Sequence, residues 1–261
     1  MQFKTTDLPE LKVIRENYFK TIQLSQELFI EWIVTKGKYY KIIQDREIIG
    51  YVIISEENIL VEFHVIVEYV AKKEEIFLQV LNQFSIKKAY CKSFDSLLLT
   101  CCLTYSKSSG IIGTIFREYT NTTSCDWDNS LFVRIAEEKE IPFLLTFDSE
   151  LYESPEELDY MVRNKMVYLF EKGEQLIGCG YLIKILPDKN FYDIGMWTNP
   201  DFREQGYATK IIAYLKKYCF QNNYIPVCGC AVDNIASRKV LERNGFISRH
   251  CIVEFDFKSK Q

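Results

Sequence analysis

Gly195-Met196-Trp197-Thr198-Asn199-Pro200-Asp201-Phe202-Arg203-Glu204-Gln205-Gly206-Tyr207-Ala208-Thr209-Lys210 is the stretch on which the reading of this chain turns. Its first residues carry the apolar, β-prone pattern of a strand that ends near Thr198. Pro200 cannot continue a ladder, so the chain must turn there. A helix then opens around Gly206. The N–H groups of its first turn have no intrahelical partner and point outward at the positive end of the helix dipole, which is the geometry of an anion site. Gly206 lets a ligand phosphate approach the backbone, and Ala208 keeps the next exposed position small. The alternative is that Gly206 merely eases a tight strand-to-helix connection, and Arg-x-x-Gly-x-Ala alone does not separate the two.

Working outward, the next informative stretch is Asn234-Ile235-Ala236-Ser237-Arg238-Lys239-Val240-Leu241-Glu242-Arg243-Asn244-Gly245-Phe246. Asp233 or Asn234 can cap a helix there, Ala236, Val240 and Leu241 are expected to face the core, and Gly245 is a C-terminal stop. Taken alone it is an ordinary amphipathic helix.

Taken together and in this order, the two stretches resemble the GNAT superfamily of acyl-CoA N-acyltransferases, in which an Arg/Gln-x-x-Gly-x-Gly/Ala turn follows the fourth strand and an Asn-bearing helix ending in Gly-Phe comes about thirty residues later. Arg203 and Asn234 stand 31 positions apart (234 − 203). The resemblance is specific from Lys165 to Phe257 and extends weakly over 131–164. It implies that the backbone of Arg203, Glu204, Gln205, Gly206, Tyr207 and Ala208 cradles the pyrophosphate of acetyl-CoA. It implies too that the strand segment Met196-Trp197-Thr198 runs beside the pantetheine arm, with Met196 and Thr198 pairing through their backbone, and that Asn234 hydrogen-bonds the same arm. A backbone N–H near Thr198 would polarise the thioester carbonyl.

The chain also repeats itself. Tyr39 to Ile54 and Met166 to Ile183 each read as a strand, a polar turn and a second strand opening at a glycine, Gly50 and Gly178, 128 positions apart (178 − 50). Each hairpin is followed by strand, helix, strand and helix. Each half then closes with a strand after Gly110 or Gly245, 135 positions apart (245 − 110). The expected fold is α/β in the α+β sense: two GNAT-like modules, 1–123 and 124–261, each a mixed, mostly antiparallel sheet flanked by helices, joined through a polar linker around Thr120-Asn121-Thr122-Thr123-Ser124. At an offset of 135 the first copy places Glu68 at the Arg203 position, Ala71 at Gly206, Lys73 at Ala208 and Leu99 at Asn234. A carboxylate where phosphate belongs is repulsive, so the first copy reads as a degenerate module without a cofactor site.

Composition sets the outer limits. The 261 residues are 48% hydrophobic and 15% aromatic with 11 glycines and 6 prolines, which excludes disordered, collagenous and low-complexity classes. A net charge of −4 argues against a nucleic-acid or anionic-membrane partner and suits an amine substrate. No apolar run approaches the ~20 residues of a membrane span, and the N-terminus carries no secretory pattern, so a cytoplasmic location is expected. Nine cysteines at irregular spacing read as reduced thiols, and with only two histidines no metal site is expected.

The chemistry of direct acyl transfer needs a neutral amine, a placed thioester and a route for protons. Asp193, near where many relatives carry a Glu, is the candidate base or amine-positioning carboxylate; Tyr192 points to the opposite strand face, and His250 is the other candidate. The Tyr that serves the family as general acid, four residues before the helix-terminal glycine, is Leu241 here. Either Tyr207, Ser237 or Cys230 takes its place or the thiolate leaves unassisted. Trp32, Trp127 and Trp197 are candidates to line an acceptor pocket. The expected activity is an N-acetyltransferase moving an acetyl group from acetyl-CoA to an amine. The alternative is a non-catalytic CoA-binding scaffold or sensor.

Overall fold

The structure is a computed structural model, and it describes residues 1–120, 128–147, 152 and 154–257. The expected linker residues 121–124, Cys125 and Trp127 lie outside the described residues. In chain order the elements are β1 (Gln2–Thr6), α1 (Lys12–Ile22), α2 (Leu28–Thr35), β2 (Lys38–Gln44), β3 (Glu47–Ile54), β4 (Ile59–Val65), α3 (Lys73–Gln83), β5 (Lys88–Lys92), α4 (Ser96–Tyr105) and β6 (Ser108–Tyr119). They continue with β7 (Phe132–Ile135), α5 (Ile141–Leu144), α6 (Pro155–Arg163), β8 (Val167–Lys172), β9 (Gln175–Lys184), β10 (Phe191–Thr198), α7 (Tyr207–Gln221), β11 (Ile225–Ala231), α8 (Ile235–Arg243) and β12 (Phe246–Asp256).

These elements form two compact units. The first takes residues 1–115 together with 231–233 and 249–261; the second takes 116–230 and 234–248. The division along the chain at 123/124 is therefore crossed, because the last strand leaves the second unit: Ile252 to Asp256 of β12 pair antiparallel with Lys92 to Lys88 of β5. A strand edge has obligatory backbone partners to satisfy, and in the first unit the chain's own C-terminal residues satisfy that of β5. The repeat offset also drifts. Gly110 lies inside β6 rather than ahead of it. The cap of α4 is Asp95, whose carboxylate accepts from Leu98 N, so Asp95 and not Leu99 matches the cap Asn234.

The first unit orders its strands β1-β2-β3-β4-β5-β12, with only the β4–β5 pair parallel. Helices α3 and α4 close one face over Phe63, Phe77 and Leu98, and α1 and α2 the other over Tyr18, Ile30 and Ile53. That second face encloses a charged cluster. Arg15 binds Glu31 (2.5 Å) and Glu62 (2.7 Å); Gln26 donates to Glu62 (2.7 Å) and accepts from Lys92 Nζ (2.7 Å); Lys92 also meets Tyr18 Oη (2.7 Å), which donates to Asp95 (2.7 Å). Arg15 and the other six residues of this cluster are all buried. Burial pushes the Glu62 carboxyl up, but the charge and hydrogen bonds of Arg15 outweigh it and hold the group below its ordinary value.

The second unit runs β11-β10-β9-β8-β7, with β10–β11 parallel and the rest antiparallel. Its core lies under α7, whose Ile211, Ile212, Leu215 and Cys219 are wholly buried; full burial of such side chains contributes about 1.5–3 kcal/mol each for the larger ones. The two hairpin glycines share one cause. A Cβ on Gly178 would stand 2.4 Å from Trp197 O, and one on Gly50 2.2 Å from His64 O, so each admits the close backbone of the following strand. Of the eight described cysteines, six are buried thiols, packed as small apolar groups.

Candidate active site

β10 and β11 are parallel neighbours only over Phe191–Asp193 and Ile225–Val227. Beyond Asp193 the register ends, so the rest of β10 has β9 on one side and an open edge on the other. Which backbone groups face that edge follows from the pairing with β9. Asn199 N donates to Ile177 O and Ile185 N to Phe191 O. The pairs 199/177 and 191/185 therefore exchange hydrogen bonds, as do the alternate pairs between them along the register. The odd-numbered residues of β10 bond to β9. The N–H and C=O groups of Ile194, Met196 and Thr198 face away from it, toward the open edge.

The turn after β10 leads straight to a helix start. Asn199 caps the 3-10 turn Pro200–Phe202 by accepting from Asp201 N (3.2 Å), and its amide donates to Leu176 O (2.8 Å). Arg203 Nε donates to Thr198 O (3.2 Å). Glu204 and Gly206 both have positive φ, 61° and 82°. At Gly206 this is the left-handed conformation that glycine adopts without cost, and no atom lies within 4 Å of where its Cβ would be. Gly206 caps α7 with no side chain on the first-turn N–H groups. The helix thus presents uncapped donors to open space.

These features converge on an open cleft of about 710 Å³. Of the residues singled out in the sequence, it is bordered by Met196, Trp197, Thr198, Arg203, Glu204, Gly206, Tyr207, Ala208 and Asn234. Asn234 caps α8, its Oδ1 accepting from Ser237 N (3.0 Å), which leaves its amide N–H groups as the part suited to a ligand. Gln205 does not line the cleft; its amide donates to Asp201 O (3.3 Å).

Sequence reasoning missed Phe202, Thr209 and the cleft-lining face of α8, Ala236, Lys239, Val240 and Arg243; Ala236, expected in the core, is exposed there, and Val240 is half-buried. The signal for that face was present, since 236, 239, 240 and 243 follow helical spacing from the cap. Arg238, on another face, is engaged by Glu242 (2.9 Å).

The catalytic candidates separate. Asp193 sits where β10 and β11 part and does not line the cleft. It is on the strand face of Trp197, opposite the α7 side that Ile194 and Met196 occupy. Burial, and then the charge of Asp193, push the Cys228 thiol well above its ordinary value. Tyr192 lies against the α7 core, stacked on Tyr224 at 4.0 Å, with its phenol pushed up to about 12 by burial and by Tyr224. His250 belongs to the first unit, against Ser93 (3.4 Å) and the ring of Phe94. Leu241 is 2% exposed in the core under α7. Burial raises the half-buried Cys230 thiol, while Tyr207 and Ser237 border the cleft. Of the described tryptophans Trp197 lines it, and Trp32 stands on α2 of the first unit.

Two family models account for most of the chain. Residues 7–119 match the acetyltransferase (GNAT) domain and residues 129–246 the acetyltransferase (GNAT) family. The chain belongs to the GNAT acetyltransferases, as two domains in tandem. Among solved structures, an acetyltransferase of the GNAT family from Colwellia psychrerythraea superposes with a TM-score of 0.90 at 19% identity, covering 99% of this chain and 100% of that one. A tandem GNAT protein from the clavulanic acid biosynthesis pathway gives 0.63 at 8% identity, covering 100% and 99%. In sequence, the chain is 32% identical over 95 residues to the ribosomal-protein-serine acetyltransferase of Escherichia coli strain K12, spanning 36% of this chain and about half, 52%, of that relative. No helix among the described residues of this GNAT protein is long and apolar enough to cross a membrane.

Proposed function

We propose that the second unit transfers an acetyl group from acetyl-CoA to the amine of a small molecule or peptide. The observation that carries this reading is the convergence of the open β10 edge and the uncapped α7 start on one cleft. The first suits an extended amide-bearing chain, the second its phosphates. Arg203 to Ala208 would hold the pyrophosphate, Gln205 through its backbone, and Met196, Thr198 and Asn234 the pantetheine arm. The thioester supplies an activated acyl group. The open-edge N–H groups of β10 are suited to polarise its carbonyl.

Asp193 has the charge to draw an ammonium toward the point where β10 and β11 part and, from outside the cleft lining, to accept its proton through water. With Leu241 buried, proton delivery to the leaving thiolate falls to Tyr207, Ser237 or Cys230, or is not needed, since a thiol with an ordinary pKa of about 8.5 is a tolerable leaving group.

The first unit carries no CoA in this proposal. The start of α3 has Lys72 as its cap, at φ −100°, and Glu74 and Glu75 in its first turn, where their charges already complement the dipole and repel an anion. A reducing, cytoplasmic setting fits a chain whose described cysteines are thiols. The test is to incubate the protein with acetyl-CoA and an amine panel that includes a serine-bearing peptide, since serine of a ribosomal protein is the acceptor named for the E. coli relative, and to titrate the thiol released. Burial of Leu241 favours one competing reading, a CoA-binding scaffold: CoA would bind and no thiol would appear with any acceptor.

A further inference from the structure

Lys216, in the middle of α7, is wholly buried, and no carboxylate among the described residues pairs with it. Its ammonium donates to two backbone carbonyls, Thr120 O (2.8 Å) and Asn244 O (2.6 Å). It lies 5.0 Å from the ring of Phe246 and 5.2 Å from that of Tyr119. Burial pushes the amine below its ordinary value. Desolvating a charge is costly, and an apolar side chain would fill the same space without that cost. The charge therefore marks a point where something is held.

What it holds is the end of α8. Asn244 is the C-cap of that helix, where a cation meets the negative end of the dipole. The Asn244 side chain, itself buried, ties the same point again: its Nδ2 donates to Thr209 O in the first turn of α7 (3.2 Å) and to Val240 O (2.9 Å). Apolar burial does little for this helix. Among the described residues of α8, Leu241 alone is buried, and an element with so little apolar anchorage opens locally at low cost. Yet α8 supplies a wall of the cleft through Ala236, Lys239, Val240 and Arg243, while Thr209 borders the cleft from α7. The separation of the two helices is thus fixed from behind, by polar ties at Asn244.

We infer that Lys216 and Asn244 form a latch that holds α8 at a set distance from the start of α7 and so sets the width of the cleft. Neither residue lines the cleft, so both are positioning residues that act on the donor through α8. The inference rests on the reading of the cleft as the CoA site. If the released helix takes its competent position between about a tenth and a third of the time, CoA affinity falls about three- to tenfold.

The experiment uses the full chain and two variants. Lys216→Met keeps an apolar stem among the rings and removes the cation; Asn244→Ser keeps a polar side chain at the cap and removes the reach to Thr209. Each is expected to weaken CoA about three- to tenfold by titration calorimetry. Hydrogen exchange supplies the readout that a packing role would not move: in the free variants the amides of α8 exchange faster than in wild type, those of β8, β9 and β10 do not, and saturating CoA restores wild-type protection. Wild-type CoA affinity in either folded variant overturns the inference and leaves the CoA site standing. Weakened affinity with unchanged α8 exchange, or faster exchange throughout the second unit, makes the residues structural and also overturns it, as does failure of both variants to fold. Wild-type protein that binds no CoA removes the reading of the cleft and the inference with it.

Discussion

Placing a carboxylate at the start of α7 is the sharpest perturbation of the proposed site, and Gly206→Glu does it. Two effects must be separated. The first is strain: Gly206 has φ +82°, and a side chain there costs about 1 kcal/mol. That cost falls on the free and bound protein alike, so it appears as a melting temperature lower by about 2–4 °C for a chain of this size and not as lost affinity. The second effect is electrostatic. No atom lies within 4 Å of the position of the added Cβ, so the side chain fits the free protein and projects into the space proposed for the pyrophosphate. At about 6 Å and near the dielectric of water, each like-charge pair costs about 0.7 kcal/mol; two or three pairs give about 1.4–2 kcal/mol, or roughly a tenfold to thirtyfold loss of CoA affinity. Gly206→Gln is the control, with the same bulk and strain and no charge. Calorimetric titration of CoA with both variants, alongside circular dichroism, reads the difference. If Gly206→Glu is folded and binds CoA as well as wild type, the phosphate-cradle assignment is wrong. If the Gln and Glu variants lose equally, shape and not charge is responsible.

Titration calorimetry of the intact protein is expected to return one CoA per chain; two equivalent sites would contradict a first unit whose α3 opens on Lys72, Glu74 and Glu75. Asp193→Asn is expected to keep CoA binding and lose at least about tenfold in kcat/KM at neutral pH, with a smaller loss at high pH where the amine is already neutral; wild-type kinetics would move the role elsewhere. Arg15→Met leaves Glu31 and Glu62 buried without their cation and is expected to destabilise the protein by about 3–5 kcal/mol, read by urea unfolding; a change under 1 kcal/mol would mean water or a shifted proton replaces the cation. Burial holds His64 neutral, pushing it down to about 4 from 6.5. The unfolded chain therefore takes up this proton first as pH falls, and up to about 3 kcal/mol of stability is lost between pH 6.5 and 4. In His64→Gln the unfolding midpoint is expected to depend less on pH across that window, and an identical dependence would rule His64 out as its source.

The sequence by itself determined the elements with a local physical cause. The proline and glycine of the β10–α7 turn and the cap at Asn234 are properties of neighbouring residues, and they were legible. The hairpin glycines Gly50 and Gly178 were legible as a repeat, although the reason for them, a facing carbonyl, was not. Only the tertiary structure decided what depends on partners distant in the chain. An offset of 135 hid that Asp95 caps α4, because loops of different length shift the copies locally. Nothing in the period-2 pattern of the last strand says which strand it joins, and its pairing of Ile252–Asp256 with β5, 160 or more positions earlier (252 − 92), places it in the first unit. Glu62 reads in sequence as an interruption of an apolar run; across the fold it is one end of a buried ion cluster with Arg15 and Glu31. The indole N–H of Trp197, buried without a hydrogen-bond partner, is likewise invisible in sequence, because an unmet hydrogen bond is a property of everything that surrounds a group, here including the ring of Phe147 fifty positions earlier (197 − 147).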